Sequence, residues 1–392
     1  MSFQNFLFYK ICVFFIIFCC LPLPHGNIYP FFVLLLGCIT QFKKKNIEIG
    51  KLEALTIAFV LWSFLSAFWS AMPAKSFQSS AKVASLLLGG CFWWNYCEQL
   101  KLAERQQLKK IVCMVGFLLA GLLIIFGIDA QFRIGSILGL QNGLHHIIDR
   151  HISQALVHGC AACMLAIWMN KESQWIQIIF LVLLVPIFHW CSSDAASLGI
   201  LLGLGALIGY RFFPKLLKIM FIYGMPIVWF CLPFIFFVFK TDHYAFLARV
   251  MDSSYTHRLF IWQSVAMQTF EHFWTGFGFG SSRYRSAECK QDIIFFDGAK
   301  DLVLTAPENC LHPHNFMLQI WFELGAIGVI LACLIWIMYW KKQYDRSACY
   351  TITFWGSVLG VAATGISIWQ TWWLVLLVTL APIYRLQGSA NN

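Results

Sequence analysis

Long apolar runs recur along almost the whole of this chain. A run of roughly 17–25 residues crosses the ~30 Å hydrocarbon layer of a bilayer as a helix. Its 392 residues would otherwise allow two or three soluble domains. Composition rules that out: 59% of residues are hydrophobic and 12% charged, with a mean hydropathy of +0.70. Soluble chains carry about 25% charged residues. The fold class expected is therefore an all-α polytopic membrane protein.

About twelve transmembrane helices are predicted, near 6–24, 28–42, 53–70, 81–97, 111–128, 152–169, 174–191, 195–210, 219–239, 314–339, 347–364 and 366–384. The first run lacks the basic start and A-x-A-like site of a signal peptide, and reads as a retained span. Alternate loops carry 43–45 (KKK), 101–110 (KLAERQQLKK), Lys171, 211–218 (RFFPKLLK), 341–346 (KKQYDR) and Arg385, more than half of the 28 Lys and Arg residues. Because Lys and Arg mark the cytoplasmic side, both termini are expected in the cytoplasm. The net charge of +10 is not gathered into one patch, so nucleic acid is not an expected partner and membrane lipids are.

Three regions follow: residues 1–239, an N-terminal bundle of about nine spans with an outer loop at 129–150; residues 240–313, a large outer loop; and residues 314–392, about three further spans. The large loop is neither Pro/Ser-rich nor poor in aromatics, which predicts a folded helical cap. In it, residues 258–274 read as an amphipathic helix through Leu259, Trp262, Ala266 and Phe270, ended by Gly276, Gly278 and Gly280. Its apolar face has two readings, lipid contact in the interface plane or packing on the membrane bundle. Most of the fifteen cysteines lie in apolar runs, Cys160 and Cys163 included, and read as packing. Cys289 and Cys310 share the outer loop and could form a disulfide if that compartment is oxidising, with two free thiols as the other reading.

The outer segments hold Arg133, Arg150, Arg249, Arg258, Arg283, Arg285, His312 and His314. Guanidinium groups bind phosphate oxygens bidentately, so a cavity lined by them suits a diphosphate. Residues 312–328, HPHNFMLQIWFELGAIG, put polar groups at the mouth of an apolar run. Pro313 suits a first helical position. His314 would then sit in the first turn, where the helix dipole disfavours imidazolium and keeps the ring neutral, as a general base must be. Asn315, Gln319 and Glu323 follow at helical spacing as one polar stripe, expected to face an outward-facing site. Gly325 and Gly328 are expected to admit a neighbouring helix. The plain alternative is an ordinary interfacial helix start with a satisfied histidine.

The segment 314–328 has the form His-Asn, nine residues, Gly, two residues, Gly. It resembles the signature of bacterial O-antigen ligases and the related O-antigen polymerases. Residues 257–284, an arginine with a tryptophan four residues on and then a Gly-x-Gly turn, resemble the block that precedes it in that superfamily. The resemblance is specific over about 257–330 and architectural elsewhere. It implies a fold like the GT-C-type transferases that use lipid-linked sugars, and an enzyme of the bacterial inner membrane with its active site facing the periplasm. The donor would be an undecaprenyl-diphosphate-linked glycan and the acceptor a hydroxyl of lipid A–core. It further implies His314 as catalytic base, Arg258 as a diphosphate ligand and Arg150 as the second such arginine, with Arg133 in reserve. Asn315 and His312 join the expected substrate contacts, with His312 otherwise a helix cap. Fixed arginines in place of a divalent cation predict a metal-independent reaction needing no cofactor.

The ligase reading stands first. The chain shows no extra C-terminal region of the kind expected in relatives that glycosylate proteins. A polymerase joining repeat units shares the chemistry. A transporter or flippase should show inverted repeats and charged or broken helices at the bilayer midplane. The predicted spans are nearly free of charge at their centres, which disfavours transport. Transport would gain if Glu323, rather than His314, proved indispensable.

Overall fold

A computed structural model of the chain describes residues 50–101, 103, 194–238, 253–285, 292–297, 300–305, 312–343, 348–365, 367–371, 373–375, 377–378 and 381. The spans predicted near 6–24, 28–42, 111–128, 152–169 and 174–191 lie outside these residues. The described helices are α1 (Lys51–Ser66), α2 (Pro73–Gln99), α3 (Asp194–Phe212), α4 (Pro214–Val238), α5 (Ser253–Thr269), α6 (Ser282–Arg285), α7 (Phe316–Gln343) and α8 (Ala348–Thr364). Among the described residues, three helical stretches are long and apolar enough to cross a membrane: Lys51–Trp69, Pro214–Val238 and Phe316–Lys342.

α7 is the central element. α1, α4 and α5 all pack against it. α1 runs antiparallel to it, so that Lys342 near the end of α7 meets Glu53 at the start of α1 (3.6 Å). α3 and α8 cross closely because small residues face each other. A Cβ built on Gly360 would stand 2.7 Å from the Gly199 Cα, so the two backbones meet there without side chains between them.

Two prolines in α4 show how irregular backbone is tolerated at this depth. Pro233 has no N–H for the Trp229 carbonyl one turn back, and the Trp321 indole donates to that oxygen instead (3.0 Å). Pro226 likewise has none to give the wide turn Met220–Gly224, and the Trp336 indole donates to the Phe221 carbonyl (2.6 Å). In lipid such groups have no water to turn to, so a partner helix must supply the donor.

The large loop is helical in α5 and α6, but not throughout. Asp292–Asp297 (β1) pairs antiparallel with Lys300–Thr305 (β2), Asp297 opposite Lys300. This corrects the expectation of a wholly helical cap. Ile293, Ile294, Phe295 and Phe296 face Leu304, Val303, Leu302 and Asp301 across the pair, mostly β-favouring residues.

Candidate functional site

The helix α7 is broken at Gly325, whose φ of 62° and ψ of −166° belong to neither helix nor ordinary strand. The break is filled by the turn that follows α5. Phe277 N–H donates to the Phe322 carbonyl and Gly278 N–H to the Glu323 carbonyl (2.9 Å each). In return Ala326 N–H donates to the Phe273 carbonyl (2.8 Å) and Ile327 N–H to the Trp274 carbonyl (3.3 Å). The Trp62 indole takes the Leu324 carbonyl (3.0 Å) and the Trp69 indole the Gly276 carbonyl (3.2 Å). Gly276, Gly278 and Gly280 all have positive φ, as the turn requires. The two sequence blocks are thus one structural unit, joined backbone to backbone.

Side chains complete the joint. Glu323 is fully buried and accepts from Gly280 N–H (2.7 Å), Gln319 Nε2 (3.0 Å), Trp369 Nε1 (2.6 Å) and the Ser282 hydroxyl. Gln319 in turn accepts from Ile368 N–H and the Ser367 hydroxyl (3.1 Å each). One carboxylate therefore ties the glycine turn, α7 and the 367–370 segment together.

The start of α7 differs from expectation. The helix begins at Phe316, not Pro313, and Asn315 is its cap: Oδ1 accepts from Met317 N–H (3.0 Å) and Leu318 N–H (3.2 Å). His314 lies before the helix with φ 52°, so the dipole argument for it no longer holds. His312 does not cap the helix; its ring packs on that of His314, centroids 4.2 Å apart. Trp262 of α5 fixes this segment by donating to the Pro313 carbonyl (2.9 Å). Arg258, one turn before Trp262 on the same face of α5, is half-buried beside it.

A cavity of about 450 Å³ opens where these parts meet. One stripe of α2 lines it through Lys75, Ser79 and Lys82, and Arg283 and Tyr284 line the facing wall. His312, Gln319, Glu323, Trp369 and Gln370 close it. His312, rather than His314, reaches the cavity surface, and His314 stands one ring behind. Arg258 is not among the lining residues, Asn315 is taken up by its capping bonds, and Arg150 lies outside the described residues, as do Arg133, Cys289 and Cys310. Sequence reasoning missed Lys75 and Lys82. The signal was present: Pro73 starts α2 earlier than the predicted 81, and 75, 79 and 82 fall on one helical face.

Burial, then the neighbouring His314 and Arg283, push the His312 imidazole down from 6.5 to about 3. Unfolded chain takes up a proton below about 6.5 that the folded chain refuses until about 3. The stability this residue contributes is therefore full above that window and lost as pH falls through it. The acid-side fall of the unfolding midpoint should be shallower in His312→Gln than in wild type. Equal slopes would place the titration on another group.

Residues 179–333 match the family described as O-Antigen ligase, a span from before α3 to the middle of α7. A protein of Rickettsia felis named "Putative polysaccharide ligase" is 29% identical over 329 residues, covering 81% of this chain and 76% of its own length. A Rickettsia conorii protein of the same description is 27% identical over 332 residues, covering 82% and 76%. One from Rickettsia typhi is 25% identical over 350 residues, covering 84% and 79%. No solved structure matches the chain.

Proposed function

We propose that this chain, whose residues 179–333 match the family described as O-Antigen ligase, is a periplasmic glycosyltransferase moving a glycan from undecaprenyl diphosphate to a hydroxyl of lipid A–core. The observation that carries this reading is the interlock of residues 272–280 with the broken helix α7, which builds a basic cavity at the joint of the two family-like blocks. The lining residues of α2, the 279–284 turn, His312 and 367–371 all fall at span ends that the Lys/Arg pattern puts outside. That supports an active site facing the periplasm.

In this reading His314 takes the proton of the acceptor hydroxyl as its oxygen attacks the anomeric carbon. The bond from that carbon to the diphosphate breaks, and the leaving lipid diphosphate carries the charge away. Cations stabilise that charge as it develops; Arg258 and Arg150 are the arginines proposed for it. The φ of 52° at His314 is a sparsely populated conformation for a non-glycine residue, of a kind that gathers at functional sites. A single displacement inverts the anomeric configuration.

The test is transfer from undecaprenyl-diphosphate-linked glycan to purified lipid A–core, in EDTA, by wild type and His314→Ala. Wild type is expected to form glycosylated lipid A–core. The variant should be slower by about 10²–10⁴-fold, the contribution of a general base. Full activity in the variant would remove His314 from the chemistry. Longer glycans still on the lipid carrier would make the protein a polymerase.

A further inference from the structure

We propose that Lys215, Lys218 and Lys341, at the end of the molecule opposite the candidate site, hold the phosphate of an anionic phospholipid whose acyl chains lie against Leu216, Ile219 and Met220. This goes beyond the glycosyltransfer reading and does not depend on it. α7 runs from the candidate site at its start to Lys341 and Lys342 in its last turn, so these residues belong to the other membrane face. The Lys/Arg pattern puts that face in the cytoplasm, where anionic lipids attract Lys and Arg.

The chain turns between α3 and α4. α3 ends at Phe212, Phe213 leaves helical geometry, and Pro214 opens α4. Helical spacing then gives the first turns of α4 three faces. Leu217 points inward, onto Gly209 and the packed cluster around Trp336 and Trp340. Lys215 and Lys218 share the second face, within about 60° of each other. Leu216, Ile219 and Met220 share the third, and each is more than half exposed, as are Phe212 and Phe213 beside them. An exposed apolar patch of this kind, rimmed by charge, marks a membrane or partner contact.

The charge decides the occupant. Lys341 reaches from α7 to α4, its ammonium 6.0 Å from the centroid of the Tyr223 ring. Tyr223 is five residues on from Lys218, about 7.5 Å along the helix, a separation that long side chains bridge through one phosphate. Past Asp194 there is no Asp or Glu in α3, none in α4 or α8, and none in α7 after Glu323. The Glu53 carboxylate at this face meets the neighbouring Lys342 instead (3.6 Å). Neither Lys215 nor Lys341 has a carboxylate within ion-pair distance among the described residues. Cations beside an exposed apolar face fit a molecule with phosphate at one end and hydrocarbon at the other. A soluble anion has no use for the apolar face, and an apolar protein surface none for the lysines.

The experiment is native mass spectrometry of the full chain in detergent, with phosphatidylglycerol and phosphatidylcholine of the same acyl chains supplied in equal amounts. Wild type is expected to hold phosphatidylglycerol about 50-fold or more in preference. Lys215→Gln, Lys218→Gln and Lys341→Gln should each weaken phosphatidylglycerol by about fivefold and leave phosphatidylcholine unchanged, and the triple variant should bind the two about equally. All of them leave the candidate site intact, so lipid held there is common to every sample. Lys215 is exposed, so the folding of its variant is not in question. Lys51→Gln removes another exposed lysine, at the start of α1, and should keep the wild-type preference. Equal losses in Lys51→Gln and Lys215→Gln would make the preference a matter of total charge and overturn the proposal, as would a triple variant with the wild-type preference. Phe213→Ser and Leu216→Ser should weaken both lipids. Displacement of the lipid by millimolar glycerol 3-phosphate overturns the lipid assignment. So does a wild-type dimer that Phe213→Ser separates, which would make this face a protein interface. The readout is lipid binding, so it stands or falls apart from any transfer of glycan.

Discussion

Gly325→Ala is expected to abolish the folded protein, whereas Gly205→Ala, a change of the same size in α3, is expected to be harmless. A Cβ on Gly325 would stand 2.5 Å from the Gly276 nitrogen and 2.6 Å from the Trp274 carbonyl carbon and oxygen. These are backbone atoms held by their own hydrogen bonds, so they have no rotamer with which to give way. The left-handed φ of 62° adds a penalty of about 1–2 kcal/mol for any L side chain. Overpacking in a well-filled interior costs about 1–3 kcal/mol more. Separating the turn from α7 would further expose Phe322, Glu323 and Leu324 carbonyls at membrane depth, where no water replaces the lost donors. Around Gly205 there is nothing within 4 Å and φ is ordinary, so the added methyl should improve helix propensity by about 0.5–1 kcal/mol. Size-exclusion profiles and unfolding midpoints in detergent check both. A well-folded Gly325→Ala protein with a wild-type midpoint would show that the break is not required.

Gly325 also shows where sequence reading stops. The motif glycines are visible in the sequence, and close approach of a neighbour was the right physical expectation for Gly325. The neighbour, however, is the backbone of residues 272–280, not another helix, and the helix itself is interrupted. Spacing alone does not reveal this, because the partners come from a turn about fifty residues away and from Trp62, 262 residues from Leu324. The membrane helices were legible because hydropathy is a local property, and α1, α3, α4, α7 and α8 coincide with predicted spans to within a few residues. α2 was legible only in its apolar half. Its first turn carries Lys75, which hydropathy assigns to a loop, yet Pro73 starts the helix there, and Lys82 stands at the edge of the span predicted from 81. The His-Asn pair was legible as a site signal, but its geometry was not. Asn315, not the proline, starts the helix, and that sends His314 into a left-handed conformation which no propensity favours. A broken helix with a buried carboxylate is also what a transporter would show. Here the break is sealed on every side by protein donors and acceptors, which is the arrangement of a fixed scaffold.

That distinction gives Glu323 its own expected result. Glu323→Ala removes the acceptor of Gly280 N–H, Gln319 Nε2, Trp369 Nε1 and the Ser282 hydroxyl at once. Each buried donor left without a partner costs about 1–3 kcal/mol, so a loss of at least about 3 kcal/mol is expected even if the terms do not add. The glycine turn should come away from α7, taking Arg283 and Tyr284 out of the cavity wall. Glu323→Gln keeps the shape, but it offers one acceptor oxygen where the carboxylate offers two and presents an amide N–H₂ to donors. It is expected to fold with a lowered midpoint, by about 1.5–3 kcal/mol, and to transfer glycan at least about tenfold more slowly. In a fixed scaffold the loss of activity follows the loss of stability in the order Ala, then Gln, then wild type. A carboxylate that carries a proton behaves differently, because its amide would fold normally and be inert. Unfolding midpoints measured beside transfer rates separate the two. A Glu323→Gln protein of wild-type stability and no activity would give this residue a part in the chemistry and take it out of the scaffold.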